Sequence, residues 1–188
     1  KTKDLDGRLV VLVGGSGFLG TRVAQELLSC GARLRVAARH PERAYRLKPL
    51  GNLGRIQFAY CDVGRPETLA AAMAGADAAV YLAGTFGPDA DAVQARGPGV
   101  AAQAAKAAGA GALVHVSAIG ADAESEVRYA RTKGEGEAAV RAAFPGATIL
   151  RPSVIFGEDD QFINMFAGLI ALLPVLPVFG PEAKLQLV

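Results

Sequence analysis

At 188 residues, 51% of them apolar and 20% charged, the chain has the length and composition of one α/β domain with a substantial core. A formal net charge of +2 supplies no basic footprint for nucleic acid, and with no Trp and 6% aromatic residues there is no stacking platform for single strands. Cys30 and Cys61 stand far apart and match no metal-ligand spacing, which points to two thiols in a reducing, cytoplasmic setting; no metal site and no signal peptide are expected.

Apolar runs and helical patterns alternate along the chain, as they do in βαβ units around a parallel sheet. The run 9–13, after Asp6-Gly7, predicts a first strand, and 18–29 predicts an amphipathic helix closed by Cys30-Gly31. Strands follow at 34–38 and 56–61, then a short helix at 66–73 and a fourth strand at 78–82. The Ala-rich segment 93–108 predicts a helix ended by Gly109 to Gly111, followed by a strand at 113–117, a helix at 127–143 stopped before Pro145, and a sixth strand opening at 148–150. The expected architecture is a Rossmann-type, doubly wound parallel sheet in three αβα layers, one domain over 1–188. The stretch 162–179 is the most apolar, but it contains Asn164, Pro174 and Pro177 and falls short of a transmembrane helix. Two readings of it stay open: a buried helix and loop, or a surface that docks on a membrane or a hydrophobic partner.

The first strand runs into Gly14-Gly15-Ser16-Gly17-Phe18-Leu19-Gly20 and then into a helix. Gly14 permits a tight turn, Gly17 lets backbone approach a pyrophosphate, and Gly20 lets helix and strand pack closely. The helix start offers free N–H groups and a positive dipole end, so a dinucleotide pyrophosphate is expected over Ser16 to Leu19. Where binders of NAD(H) carry an acid at the end of the second strand, this chain has Ala38 and Arg39, with Arg43 close behind and Glu42 the first carboxylate. Arg39 and Arg43 suit a 2′-phosphate, so NADP(H) is expected over NAD(H). Asp62-Val63 is placed to contact adenine, and Leu82-Ala83-Gly84 to pass under the cofactor ribose.

A third constellation is Ser117 at the end of the fifth strand, with Tyr129-Ala130-Arg131-Thr132-Lys133 following. Tyr129 and Lys133, at i and i+4, share one helix face. A phenol there suits general acid–base work, an ammonium beside it favours its ionised form, and Ser117 is placed to hold a substrate carbonyl. The other reading is a structural Tyr with a cofactor-holding Lys and no turnover.

With these residues in hand, the chain resembles the short-chain dehydrogenase/reductase superfamily in its extended or atypical, epimerase/dehydratase-like branch. Gly14, Gly17 and Gly20, the Asp62-Val63 pair and Tyr129 with Lys133 carry the match. Arg151 to Gly157 looks like the segment lying along the nicotinamide in that branch, which implies contacts from Pro152 and Ile155. More narrowly, Leu47 to Gly54, His115-Val116-Ser117, Tyr129 to Glu137 and Arg151 to Phe166 are similar to the nucleotide-binding accessory subunits of respiratory complex I and their bacterial relatives. That resemblance implies a bound NADPH with a structural role in or near complex I. It also implies a place peripheral to the inner membrane, on the matrix side in a eukaryote. Members of the family continue into a small C-terminal substrate lobe, expected to be largely absent from these 188 residues. Ser117, Tyr129 and Lys133 keep a second function in view, that of an active NADPH-dependent reductase or epimerase/dehydratase on a nucleotide-sugar or small carbonyl substrate. A third is a redox sensor that binds NADPH and changes partner.

Overall fold

In the computed structural model, which describes residues 4–157 together with Asp160, Asn164, Gly168, Ile170 and Leu172, the first apolar run becomes the middle of the sheet. Leu9–Val13 forms β1 and every residue of it is buried. A strand covered on both faces must be apolar at every position, which is why this run does not alternate. Val11 and Val13 face one cluster, with Leu69, Met73, Ala101, Ala105 and Val140; Val10 and Leu12 face the other, with Ala24, Leu34, Val36 and Leu47. Successive side chains on a strand point to opposite faces, so one strand seeds both layers.

The remaining strands are β2 (Arg33–Ala38), β3 (Ile56–Tyr60), β4 (Ala78–Tyr81), β5 (Ala112–Val116) and β6 (Thr148–Leu150). All pair in parallel, in the order β3-β2-β1-β4-β5-β6. The expected doubly wound Rossmann sheet therefore forms. The chain winds outward from β1 to β3, then returns to β4 on the other side of β1. That reversal opens a crevice beyond the C-terminal ends of β1 and β4, where ligands bind in open α/β sheets.

Helices α1 (Phe18–Ser29), α2 (Pro66–Met73), α3 (Gly97–Ala107) and α4 (Arg128–Ala143) cover the faces. Two elements depart from expectation. Pro41–Leu50 is a 3₁₀ stretch whose Ala44 and Leu47 are buried at a spacing of three, the period of that helix. The Ala-rich helix begins earlier than expected, as a π-helical stretch over Asp91–Arg96 that leads into α3. The cause is tertiary: the buried Tyr81 hydroxyl donates to Val93 O at 2.6 Å, and a Cβ on Gly97 would sit 2.5 Å from the Tyr81 oxygen.

The chain divides into two compact units, Lys1–Arg151 with the whole sheet, and Pro152–Val188. Within the second, Gly157 N–H donates to Asp160 Oδ2 at 3.2 Å and Asn164 Nδ2 donates to Asp160 O at 2.7 Å. Apart from Asn164, Gly168, Ile170 and Leu172, the apolar stretch 162–179 lies outside the described residues. Among the described residues, no helix is long and apolar enough to cross a membrane.

Candidate functional site

The glycines between β1 and α1 divide into those the fold needs and one it does not. Gly14 has φ +82°, and a Cβ there would lie 2.7 Å from the Ala83 nitrogen, so only glycine lets the β1 turn rest on the end of β4. A Cβ on Gly20 would lie 2.5 Å from Gly15 O, so Gly20 lets the first turn of α1 come down on the loop. Gly17 is different. Its φ is −83°, available to any residue, and a Cβ there would meet nothing closer than Gly14 O at 3.9 Å. Among the described residues nothing requires glycine at 17, and Gly17 lines the crevice. Open space of that kind suits a phosphate that backbone must approach closely. No side chain caps α1, so its first N–H groups remain for a ligand.

The crevice is a cavity of about 280 Å³. Gly14, Ser16 and Gly17 line its floor, Ala37, Ala38, Arg39, His40 and Arg43 one wall, and Leu82, Ala83, Gly84 and Thr85 another. Among its described lining residues there is no carboxylate. Glu42 is drawn onto His40 Nδ1 at 3.1 Å. Arg39 Nη1 lies 3.6 Å from Asp89 Oδ2 with both side chains more than half exposed, a pair weak enough for a bound anion to displace. Cys61 also lines the cavity; burial pushes its thiol up to about 11, partly offset by a hydrogen bond with Thr68, so it stays protonated.

Beyond β5, Lys133, Tyr129 and Glu137 are engaged with the protein itself. Lys133 is buried, and its ammonium donates to Val116 O at 3.3 Å. It stands 3.7 Å from where a Cβ on Gly84 would be, directly behind the cavity wall. Burial lowers its pKa to about 8, against the opposing pull of Glu137. Tyr129 stacks on Phe86, ring centroids 4.8 Å apart at 19°, and burial raises its phenol above the usual value. Ser117 Oγ is buried beside Glu137 without a hydrogen bond of normal geometry. Burial pushes the Glu137 carboxyl up, but the two-pronged pair with Arg151, at 2.7 Å through both Nε and Nη2, more than offsets this and holds it below the carboxylate range. His115, on β5 two residues before Ser117, has both ring nitrogens buried and without a hydrogen-bond partner among the described residues; burial and then the Lys133 charge lower it to about 4, so it is neutral.

Of the residues singled out from sequence, Gly14, Ser16, Gly17, Arg39, Arg43, Val63, Leu82, Ala83 and Gly84 line the cavity. Phe18, Leu19 and Gly20 form the first turn of α1 beside it. Asp62 does not line it: its Oδ1 turns back to accept from Gly64 N–H at 3.0 Å. Ser117, Tyr129 and Lys133 stand outside the lining residues, and Pro152 and Ile155 fall in the second unit. Two residues carry structure that sequence reasoning missed. Gln94, fully buried, accepts from Thr85 N–H at 2.8 Å and donates to Thr132 Oγ1 at 3.0 Å, joining the cavity wall to α4. Arg46 donates to Ser16 O at 3.4 Å and to Thr21 Oγ1 at 3.0 Å. A polar residue on an apolar helix was the only signal for Gln94; Arg46 had none beyond its charge.

Comparison with known proteins agrees with this geometry. A family model described as NAD(P)H-binding matches residues 14–164. The chain is 33% identical over 169 residues to the mitochondrial NADH dehydrogenase [ubiquinone] 1 alpha subcomplex subunit 9 of Mus musculus, covering 87% of this chain and 45% of that one. It is 33% identical over 184 residues to a ceramide reductase of Caulobacter vibrioides, covering 96% of this chain and 56% of that one. The chain thus spans about half the length of the curated relatives it matches. Among solved structures, the dTDP-glucose 4,6-dehydratase DesIV of Streptomyces venezuelae, with NAD bound, superposes with a TM-score of 0.77 at 21% identity, over 95% of this chain and 67% of that one; it shares the fold.

Proposed function

The chain belongs to the NAD(P)H-binding family, and on that premise we propose that it holds NADPH in preference to NADH as an accessory, dinucleotide-holding domain. The observation that carries the preference is the cavity wall at the end of β2. Arg39 and Arg43 line it, and among the described residues no carboxylate does. A 2′-phosphate gains charge-assisted hydrogen bonds from a guanidinium, whereas a ribose diol there finds no acid to accept from it. The pyrophosphate belongs at Ser16 to Leu19, and the nicotinamide ribose on the side of Gly84 and Lys133. When bound, the nicotinamide supplies or accepts a hydride. Lys133 contributes donors for a diol, and Tyr129 a phenol on the same helix face.

A holding role is favoured over turnover by the state of Ser117, buried beside Glu137 and absent from the cavity lining. The mitochondrial relative named for an NADH dehydrogenase suggests the setting. In it the chain would sit against respiratory complex I, peripheral to the inner membrane, with the apolar stretch 162–179 meeting its partner. The second reading, an active reductase, is favoured by Lys133 standing directly behind Gly84 and by the likeness to a ceramide reductase.

Calorimetric titration of NADPH and NADH into wild type and Arg39→Ala tests the proposal. Wild type should prefer NADPH by about tenfold to a hundredfold, and Arg39→Ala should lose most of that ratio. Equal affinities in wild type would refute it. NADPH oxidation with a panel of carbonyl compounds, abolished by Tyr129→Phe, would favour the second reading over the first.

A further inference from the structure

Arg43 and Arg46 lie three residues apart on the 3₁₀ stretch, and at three residues per turn they share one face. Arg43 lines the cavity; Arg46 reaches the loop that floors it. Its Nη2 donates to Ser16 O at 3.4 Å and to Thr21 Oγ1 at 3.0 Å, and the Thr21 hydroxyl donates in turn to Gly17 O at 3.0 Å. One guanidinium therefore holds the Ser16 carbonyl directly and braces, through the Thr21 hydroxyl, the Gly17 carbonyl that already accepts from Thr21 N–H at 3.0 Å. The arm that carries it is itself anchored. Ala44 and Leu47 are buried in the cluster under β1 and β2, and Tyr45 packs edge-on against Phe58 at 5.0 Å.

A trans peptide is planar, with its N–H opposite its C=O. Fixing the Ser16 carbonyl on the Arg46 side therefore fixes the Gly17 N–H on the other, where it reaches Gly14 O at 3.5 Å, and bracing the Gly17 carbonyl keeps the Phe18 N–H turned to the open start of α1. We infer that Arg46 is a positioning residue for dinucleotide binding, which sets the amides at the start of α1 for the pyrophosphate and adds a positive charge beside it. The inference rests on the reading of this loop as the pyrophosphate cradle. It differs from the role of Arg39 in one consequence. The pyrophosphate is common to NADPH and NADH, so Arg46 strengthens both equally, whereas Arg39 discriminates between them.

The test is titration of NADPH and NADH into wild type, Arg46→Ala and Arg46→Lys, with the melting temperature of each ligand-free protein recorded alongside. Arg46→Ala should weaken both cofactors by the same factor, about threefold to tenfold, with the NADPH-to-NADH ratio and the melting temperature unchanged. Arg46→Lys, which keeps the charge and three donors, should recover part of the loss in both. A loss confined to NADPH would make Arg46 a second reader of the 2′-phosphate and overturn the inference. Unchanged affinities would overturn it too, as would a loss that tracks a fall in melting temperature and is not recovered by Lys. Failure of wild type to bind either dinucleotide would instead strike the loop reading beneath it.

Discussion

The start of α1 and the middle of α4 both bring polar groups to the crevice end of the sheet, but they do so in opposite ways. At α1 the groups are backbone amides and a glycine that the fold leaves open: Gly17 has no neighbour a Cβ would strike, and no side chain caps the helix. At α4 the groups are side chains the fold has already engaged: Lys133 on Val116 O, Tyr129 on Phe86, Glu137 on Arg151. Its glycines are the reverse of Gly17. A Cβ on Gly136 would fall on Gln94 O, and one on Gly134 on the backbone of Ala123, each well inside contact distance. On the proposed reading, binding at α1 would depend on what is missing from the chain, whereas any chemistry at α4 would depend on releasing what is held. The same residue type thus marks ligand space at one end and close packing at the other, and only the neighbours tell them apart.

The largest effect should come from breaking the packed end. Gly136→Val places a branched side chain against a main-chain carbonyl that cannot move aside without unseating Gln94 from Thr85 and Thr132. Overpacking of this kind costs about 3 kcal/mol, the upper end of the usual range. Urea unfolding should show it as a lowered midpoint, and a midpoint equal to wild type would mean α4 is not seated as described.

A smaller effect should come from Lys133. Its folded pKa of about 8 lies below the ordinary 10.5, because burial disfavours the ammonium. Between those values the unfolded chain keeps a proton the folded chain has lost, so stability should rise with pH across about 8 to 10.5. Below about 8 both states are protonated and the full cost of burying the charge is present. Cofactor affinity should move the other way, falling as the ammonium is lost. Lys133→Met should flatten both trends and weaken NADPH by about tenfold at neutral pH, the loss of charge-assisted ribose contacts, while Tyr129→Phe should leave binding within about twofold. Parallel pH profiles for wild type and Lys133→Met would separate Lys133 from the cofactor.

How far these two ends could be read in advance follows from where their determinants lie. The bounds of β1, α1, α2 and β6 were legible because each is set by a local pattern: a continuous apolar run, a glycine exit, a proline at the helix start. The 3₁₀ stretch was not, because only Ala44 and Leu47 of its ten residues are buried, too few to show a period among Arg, Lys and Pro. The π-helical stretch depends on Tyr81, ten residues before it begins, and no pattern within Asp91–Arg96 announces it. The glycine turn between β1 and α1 was legible because its close approaches, at Gly14 and Gly20, are what the glycine spacing serves. Asp62 has a second use that its spacing also allowed, bonding its own backbone two residues on, and its Oδ1 takes that use.

The claim that binding is built into open backbone at α1 is tested most directly by Gly17→Val. Because a Cβ at 17 meets nothing in the protein nearer than 3.9 Å, the variant should melt within a few degrees of wild type. Because the same side chain fills the cradle, NADPH binding should fall by more than about a hundredfold, the loss of two or more charge-assisted hydrogen bonds to phosphate. A calorimetric titration of the two proteins side by side decides it. Lost affinity in a protein that still melts like wild type is the predicted result; unchanged affinity would contradict the placement of the dinucleotide on this loop.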